Sequence, residues 1–126
     1  MLTLFLLFVS PFLYHLEPIQ QPLPEKSTIT YHMRHKLHEW DGVSDKLKIQ
    51  ANWESASPVN KITKIAISTK VSSFNSALSN RDSHMIEVLE ALTYPNVVFN
   101  STSIIYNQND ILVNGQLQFH GVTKQI

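Results

Sequence analysis

"NRDSHMIEVLEALTYPNVVFNS", running from Asn80 to Ser101, is the stretch where this chain changes its periodicity. Met85, Val88, Leu89 and Leu92 fall at i, i+3, i+4 and i+7, so one stripe is apolar and a helix is expected over Asp82–Leu92. Asp82 or Ser83 is placed to cap its first turn. Pro95 stops it, and Tyr94, before that proline, is biased towards an extended backbone. From Asn96 onward the period falls to two. One short helix therefore interrupts a chain otherwise written for strands. Arg81, Asp82 and His84 sit together at its start. They read either as a helix cap with a surface salt bridge, or as a polar rim for a ligand head group. In the second reading Arg81 pairs with an anion and His84 makes a hydrogen bond.

Strand signals flank the helix on both sides. In "TITYHMRHKLH", Ile29, Tyr31, Met33, His35 and Leu37 share one face of a single expected strand. "DKLKIQANWE" places Leu47, Ile49, Ala51 and Trp53 together. "KITKIAISTKVSSF" does the same with Ile65, Ile67, Thr69 and Val71. "NVVFNSTSIIYN" and "ILVNGQLQFH" make two more strands, the second carrying Ile111, Val113, Leu117 and Phe119 on one side. Asn107 to Asp110 between them has turn composition. Many strands, hairpin turns and one interposed helix predict an all-β antiparallel barrel or sandwich. Its inward positions are Ile, Val, Leu, Phe, Tyr and Met, so its interior is either filled or holds an apolar ligand.

The bounds agree with that reading. The chain has 126 residues, enough for one domain with a core, with 43% hydrophobic and 16% charged residues. A formal net charge of zero offers no basic face, so nucleic acid is not an expected partner. The absence of cysteine removes disulfides, thiolate metal sites and a cysteine nucleophile. Leu2 to Tyr14 is almost wholly apolar, the length of a signal-peptide core and too short for a stable membrane span. Pro18, Pro22 and Pro24 follow as an extended linker. Residues 1–24 are thus expected to be signal peptide and linker, and residues 27–126 the folded domain, in a periplasmic or secreted protein.

Six histidines raise the question of a metal. On a straight strand His35 points away from His32 and His38, and those two lie roughly 20 Å apart. They cannot share an ion there. His35, His84 and His120 could meet in space as a zinc site, or one could serve as a general base. There is no G-x-S-x-G, phosphate-cradling glycine loop or H-E-x-x-H, and only three glycines.

Three blocks, "YHMRHKLHEWDGVSDKLK", "VSSFNSALSNRDSHMIEVLEALTYPNVVFNSTSI" and "VNGQLQFHGVTKQI", occur in an order and spacing that resemble the YceI-like family of lipid- and polyisoprenoid-binding proteins. The matched features are a His-bearing first strand before a W-x-G turn, S-F-x-S before R-D-x-H, a Y-P-x-V-x-F-x-S strand and a G-x-L-x-x-H-G-V-T-K strand. The resemblance implies a lipocalin-like barrel with one helical insertion and an apolar tunnel for an isoprenoid or quinone-like lipid. It implies no catalytic residue, metal or cofactor. The family domain continues beyond H-G-V-T-K, whereas this sequence ends at Ile126. The expected barrel is therefore C-terminally incomplete, or is closed by a second copy as a homodimer.

The expected ligand-binding set combines strand parity with the R-D-x-H match: Tyr31, Met33, His35, Leu47, Ile49, Ile65, Ile67, Arg81, His84, Phe99, Leu117 and Phe119. Non-catalytic lipid binding is the leading expectation. A His-based enzyme or metal protein on the same barrel is the alternative, and a module pairing partners along open strand edges is a third.

Overall fold

The computed structural model describes residues 27–55 and 60–126. The expected export signal and linker lie outside the described residues. The elements are β1 (Ile29–Arg34), β2 (Glu39–Ser44), β3 (Lys48–Glu54), β4 (Lys61–Lys70), a 3-10 turn (Val71–Ser73), α1 (Ser79–Val88), β5 (Asn96–Tyr106), β6 (Ile111–Phe119) and β7 (Val122–Gln125). β1 and β2 form a two-stranded sheet, and β3-β4-β5-β6-β7 form a five-stranded one. Every pairing is antiparallel and joins sequence neighbours, with α1 inserted between β4 and β5. Among the described residues the sheet is not closed, and β3 and β7 are its edges. No helix among them is long and apolar enough to cross a membrane.

Three local expectations are corrected. The first concerns Thr28–His38, expected as one strand. It is a hairpin in which His35 and His38 exchange backbone hydrogen bonds of 2.7 and 3.2 Å around Lys36 and Leu37. Those tip residues are not the Asn, Asp or Gly that announce a tight turn, so the alternation runs on unbroken across it. His35 and His38 are thus neighbours at the tip rather than on opposite faces. The expected W-x-G turn is strand β2, with Gly42 opposite Tyr31. A Cβ at Gly42 would stand 2.1 Å from Tyr31 Cε1, so only glycine admits that ring.

The second correction splits the H-G-V-T-K strand. His120 and Gly121, at φ 49° and 73°, turn the chain from β6 into β7. Positive φ at both central residues matches the twist of the flanking strands. The third shifts the helix from Asp82–Leu92 to Ser79–Val88. Glu90, at φ 48°, closes it. Neither Asp82 nor Ser83 is its cap. Leu78 stands there with no side-chain bond, and Asp82 reaches back to Ser76 instead.

The best-buried apolar residues are Val71 and Phe74, 1% and 8% exposed, where the chain leaves β4. Tyr31 packs edge-on to Phe74 at 5.4 Å, joining the small sheet to this corner. Val43 and Asn75 exchange two backbone bonds of 2.9 Å. Beneath them Ser44, Thr69 and Ser73 form a closed hydroxyl cluster, with oxygens 2.6 to 3.0 Å apart. Thr69 donates to the Lys46 carbonyl and Ser73 to that of Lys70. Ser44, 0% exposed, therefore carries no stranded polar atom.

Candidate functional site

Register decides which side chains share a face, because directly opposed residues of an antiparallel pair project to the same side. Ile49 opposes Ile67, Ile67 opposes Phe99, Phe99 opposes Leu117, and Leu117 opposes Lys124. This row crosses all five strands. Next to it lie Ala51 with Ile65, and Ser101 with Gly115. On the other side lie Thr69 with Val97, and Phe119 with Val122. The reverse face carries Lys48, Gln50, Asn52, Lys64, Ser68, Asn100, Gln116 and Gln118. One side of the sheet is thus apolar, while the reverse side is mostly polar, with Ala66, Val98, Ile105 and Leu112 as its apolar members.

Two β-bulges keep it so. The register shifts between Asn52 and Trp53, and between Ser101 and Ser103. Each inserts one unpaired residue, Thr63 or Thr102, and resets the alternation. Trp53 then opposes Ile62, Ile104 opposes Val113, and Tyr106 opposes Ile111. Without the second bulge, Ile105 would face the apolar side in place of Ile104 and Tyr106. The Tyr106 hydroxyl donates to the Ile62 carbonyl at 2.8 Å, and Lys61 lies 5.5 Å above its ring. The face extends about 27 Å along β6 from Ile111 to Phe119.

This face is incompletely covered. Trp53 is 38% exposed, Phe119 39%, Ile111 56%, Ile126 55% and Val122 60%. Ile49, Ile65, Ile67, Phe99 and Leu117 are half-buried. Phe99 lies against the Gly115 backbone, where a Cβ would come within 2.4 Å of its ring. The result is an open apolar trough floored by β4, β5 and β6.

The expected binding residues divide by location. Ile49, Ile65, Ile67, Phe99, Leu117 and Phe119 are brought together on the trough, and Leu47 is half-buried just before β3. Tyr31 and Met33 belong to the small sheet, Tyr31 against Phe74 and Met33 47% exposed. His35 is exposed at the hairpin tip, and His84 is exposed on α1. Trp53, placed on this face by the alternation of its strand, joins the trough, and so do Ile62, Ile104, Tyr106, Val122 and Lys124, which alternation does not announce. Those five depend on the bulges and on the hairpin at His120.

Arg81 and Asp82 form a clamp on Ser76. The Ser76 N–H and hydroxyl donate to Asp82 Oδ1 at 3.0 and 2.5 Å. Arg81 donates through Nε to the Ser76 hydroxyl oxygen and through its terminal nitrogen to the Ser76 carbonyl, at 2.9 and 2.8 Å. The guanidinium also stacks 5.0 Å over Trp40 of β2. The R-D pair thereby ties the helix start to the segment that precedes it and to the small sheet.

The histidines are dispersed. His120 contacts Glu90 at 3.0 Å and meets Tyr94 edge-on at 5.1 Å, docking the post-helix turn on the β6–β7 hairpin. His32 hydrogen-bonds Asp41 at 2.6 Å on the exposed side of β1. That bond, with the charges of Asp41 and Glu39 adding to it, raises the His32 pKa above its ordinary value. Among the described residues no three His, Cys, Asp or Glu side chains are grouped to hold a metal, so His35, His84 and His120 do not converge.

The family model of the YceI-like domain matches residues 21–126. No curated protein sequence matches the chain. Among solved structures, BcnA of Burkholderia cenocepacia superposes with a TM-score of 0.65 at 18% identity, covering 79% of this chain and 62% of that one. The YceI protein of Campylobacter jejuni gives 0.63 at 22% identity, covering 76% of this chain and 57% of that one. A variant of the Campylobacter protein with a monobromobimane guest gives the same values. The shared fold is the expected lipocalin-like antiparallel barrel, of which this chain spans about three-fifths of the neighbours' length.

Proposed function

The chain belongs to the YceI-like domain family, and from that membership we propose that it binds a long apolar lipid, an isoprenoid or quinone-like chain, along the trough of its five-stranded sheet. The observation that carries this reading is a face of five antiparallel strands lined by Ile, Val, Leu, Phe and Trp that is left half-exposed. An apolar surface of this extent costs free energy in water, and covering it with a flexible hydrocarbon relieves that cost. Each CH₂ moved from water contributes about 0.8 kcal/mol, so a partly enclosed chain has ample driving force. The lining set is Leu47, Ile49, Ile65, Ile67, Phe99, Leu117 and Phe119. Tyr31 and Met33 belong to the adjoining sheet and His35, Arg81 and His84 to its polar surroundings. The reading assigns no catalytic residue. It places the carrier in the periplasm or outside the cell, on the strength of the apolar Leu2–Tyr14 run.

Two measurements test the proposal together. An organic extract of the folded protein, purified from its native host, should contain a polyprenyl or quinone-like species at near-stoichiometric amount by mass spectrometry. A short-chain ubiquinone added to empty protein should quench Trp53 fluorescence, and Trp53→Phe should remove most of that signal. Folded protein that carries no lipid and shows no quenching would overturn the proposal.

A further inference from the structure

Register puts one charged side chain on the apolar face. Lys124 of β7 directly opposes Leu117 and completes the row of Ile49, Ile67, Phe99 and Leu117. Its neighbours on the same side are Phe119, Val122 and Ile126, and it is exposed. The remaining polar groups of the face are occupied: Ser101 accepts from the Ile65 N–H, Thr69 donates to Lys46, and Tyr106 donates to Ile62. Lys124 forms no ion pair among the described residues.

Resting on the lipid-binding reading, we infer that Lys124 holds the anionic head group, a phosphate or carboxylate, of an amphiphile whose tail lies in the trough. A lysine stem lies along apolar surface while its ammonium seeks water or an anion. From this row to that of Ile111 and Tyr106 the apolar face runs about 20 Å along the strands, which gives the tail its direction. Arg81, the other cation considered for a head group, has both its Nε and a terminal nitrogen bonded to Ser76. An inward charge on an edge strand also has a second use, since it deters pairing with another chain. The test separates the two.

Farnesyl monophosphate and farnesol are titrated by calorimetry against wild type, Lys124→Gln, Lys124→Arg and Arg81→Ala, each checked for folding by circular dichroism and for association state by sedimentation. Wild type should prefer the phosphate by roughly three- to ten-fold, and added salt should shrink that preference. Lys124→Gln should abolish the preference while changing farnesol affinity by less than about two-fold, and Lys124→Arg should keep it. The inference is overturned if Lys124→Gln keeps the preference, if it weakens both ligands equally, or if its sole effect is self-association. It is equally overturned if Arg81→Ala, and not Lys124→Gln, removes the preference. Wild type that binds farnesol without preferring the phosphate overturns the head-group assignment and leaves the lipid-binding proposal standing. Wild type that binds neither removes both.

Discussion

Asp82→Ala tests whether the R-D pair is structural. Ser76 is 6% exposed, and its N–H and hydroxyl both donate to the Asp82 carboxylate. Because Arg81 Nε already donates to the same hydroxyl oxygen, the hydroxyl proton has Asp82 as its acceptor. Truncation removes a charged acceptor and strands two donors near the protein interior. Bonds to charged groups contribute about 1.5–3 kcal/mol, and water reaching the half-buried Asp82 site recovers part of that, so the net loss should be about 2–4 kcal/mol. With a urea slope of about 2 kcal/mol/M, the unfolding midpoint should fall by about 1–2 M. Ser76→Ala removes the hydroxyl bond and keeps the backbone one. In that background Asp82→Ala should cost about 1 kcal/mol less, the coupling expected of partners in one network. Farnesol affinity measured well below the unfolding transition should be unchanged. A variant within about 0.5 kcal/mol of wild type in stability would refute the clamp, and loss of ligand alone would make Asp82 a binding residue.

Other expectations follow from single contacts. Gly115→Ala should destabilise by about 1–3 kcal/mol in urea, since the new Cβ would stand 2.4 Å from the Phe99 ring and 2.5 Å from the Asn100 carbonyl. An unchanged midpoint would mean that Phe99 does not rest on that glycine. His32 should titrate by NMR above its ordinary value of 6.5, because its protonated ring donates to Asp41. With the folded value above the unfolded one, the β1–β2 hairpin gains stability below about pH 6.5 and loses it as the pH rises through the raised value. Asp41→Asn should return the titration towards the ordinary value, and no movement would assign the shift to another group.

Much of this fold is legible without coordinates because strand signals are local. Alternation of period two in β3, β4 and β6 marks both the strand and its apolar face, and five trough residues, Ile49, Ile65, Ile67, Leu117 and Phe119, follow from it. The turn at Asn107–Asp110 is equally local, written in residues that favour turns and closed by a bond from the Asn107 N–H to the Asp110 carbonyl. The ordered S-F-x-S, R-D-x-H and H-G-V-T-K blocks carry the family.

What tertiary structure alone decides depends on pairing between distant segments. The Lys36–Leu37 turn has no turn residues, so only the pairing of β1 with β2 shows that His35 and His38 meet. The bulge at Thr102 changes no composition, yet it exchanges Ile105 for Ile104 and Tyr106 on the apolar face. A one-residue slip turns every later side chain over, and the partner strand alone determines where the slip falls. The clamp of Asp82 on Ser76 likewise spans a left-handed Ala77 that brings residues six apart into contact. Lys124 faces the trough because the turn at His120 and Gly121 sets the register of β7 against β6. The sequence by itself determines the strands from β3 to β6 and the family. Register determines the face, and with it the residue placed to meet a charged ligand.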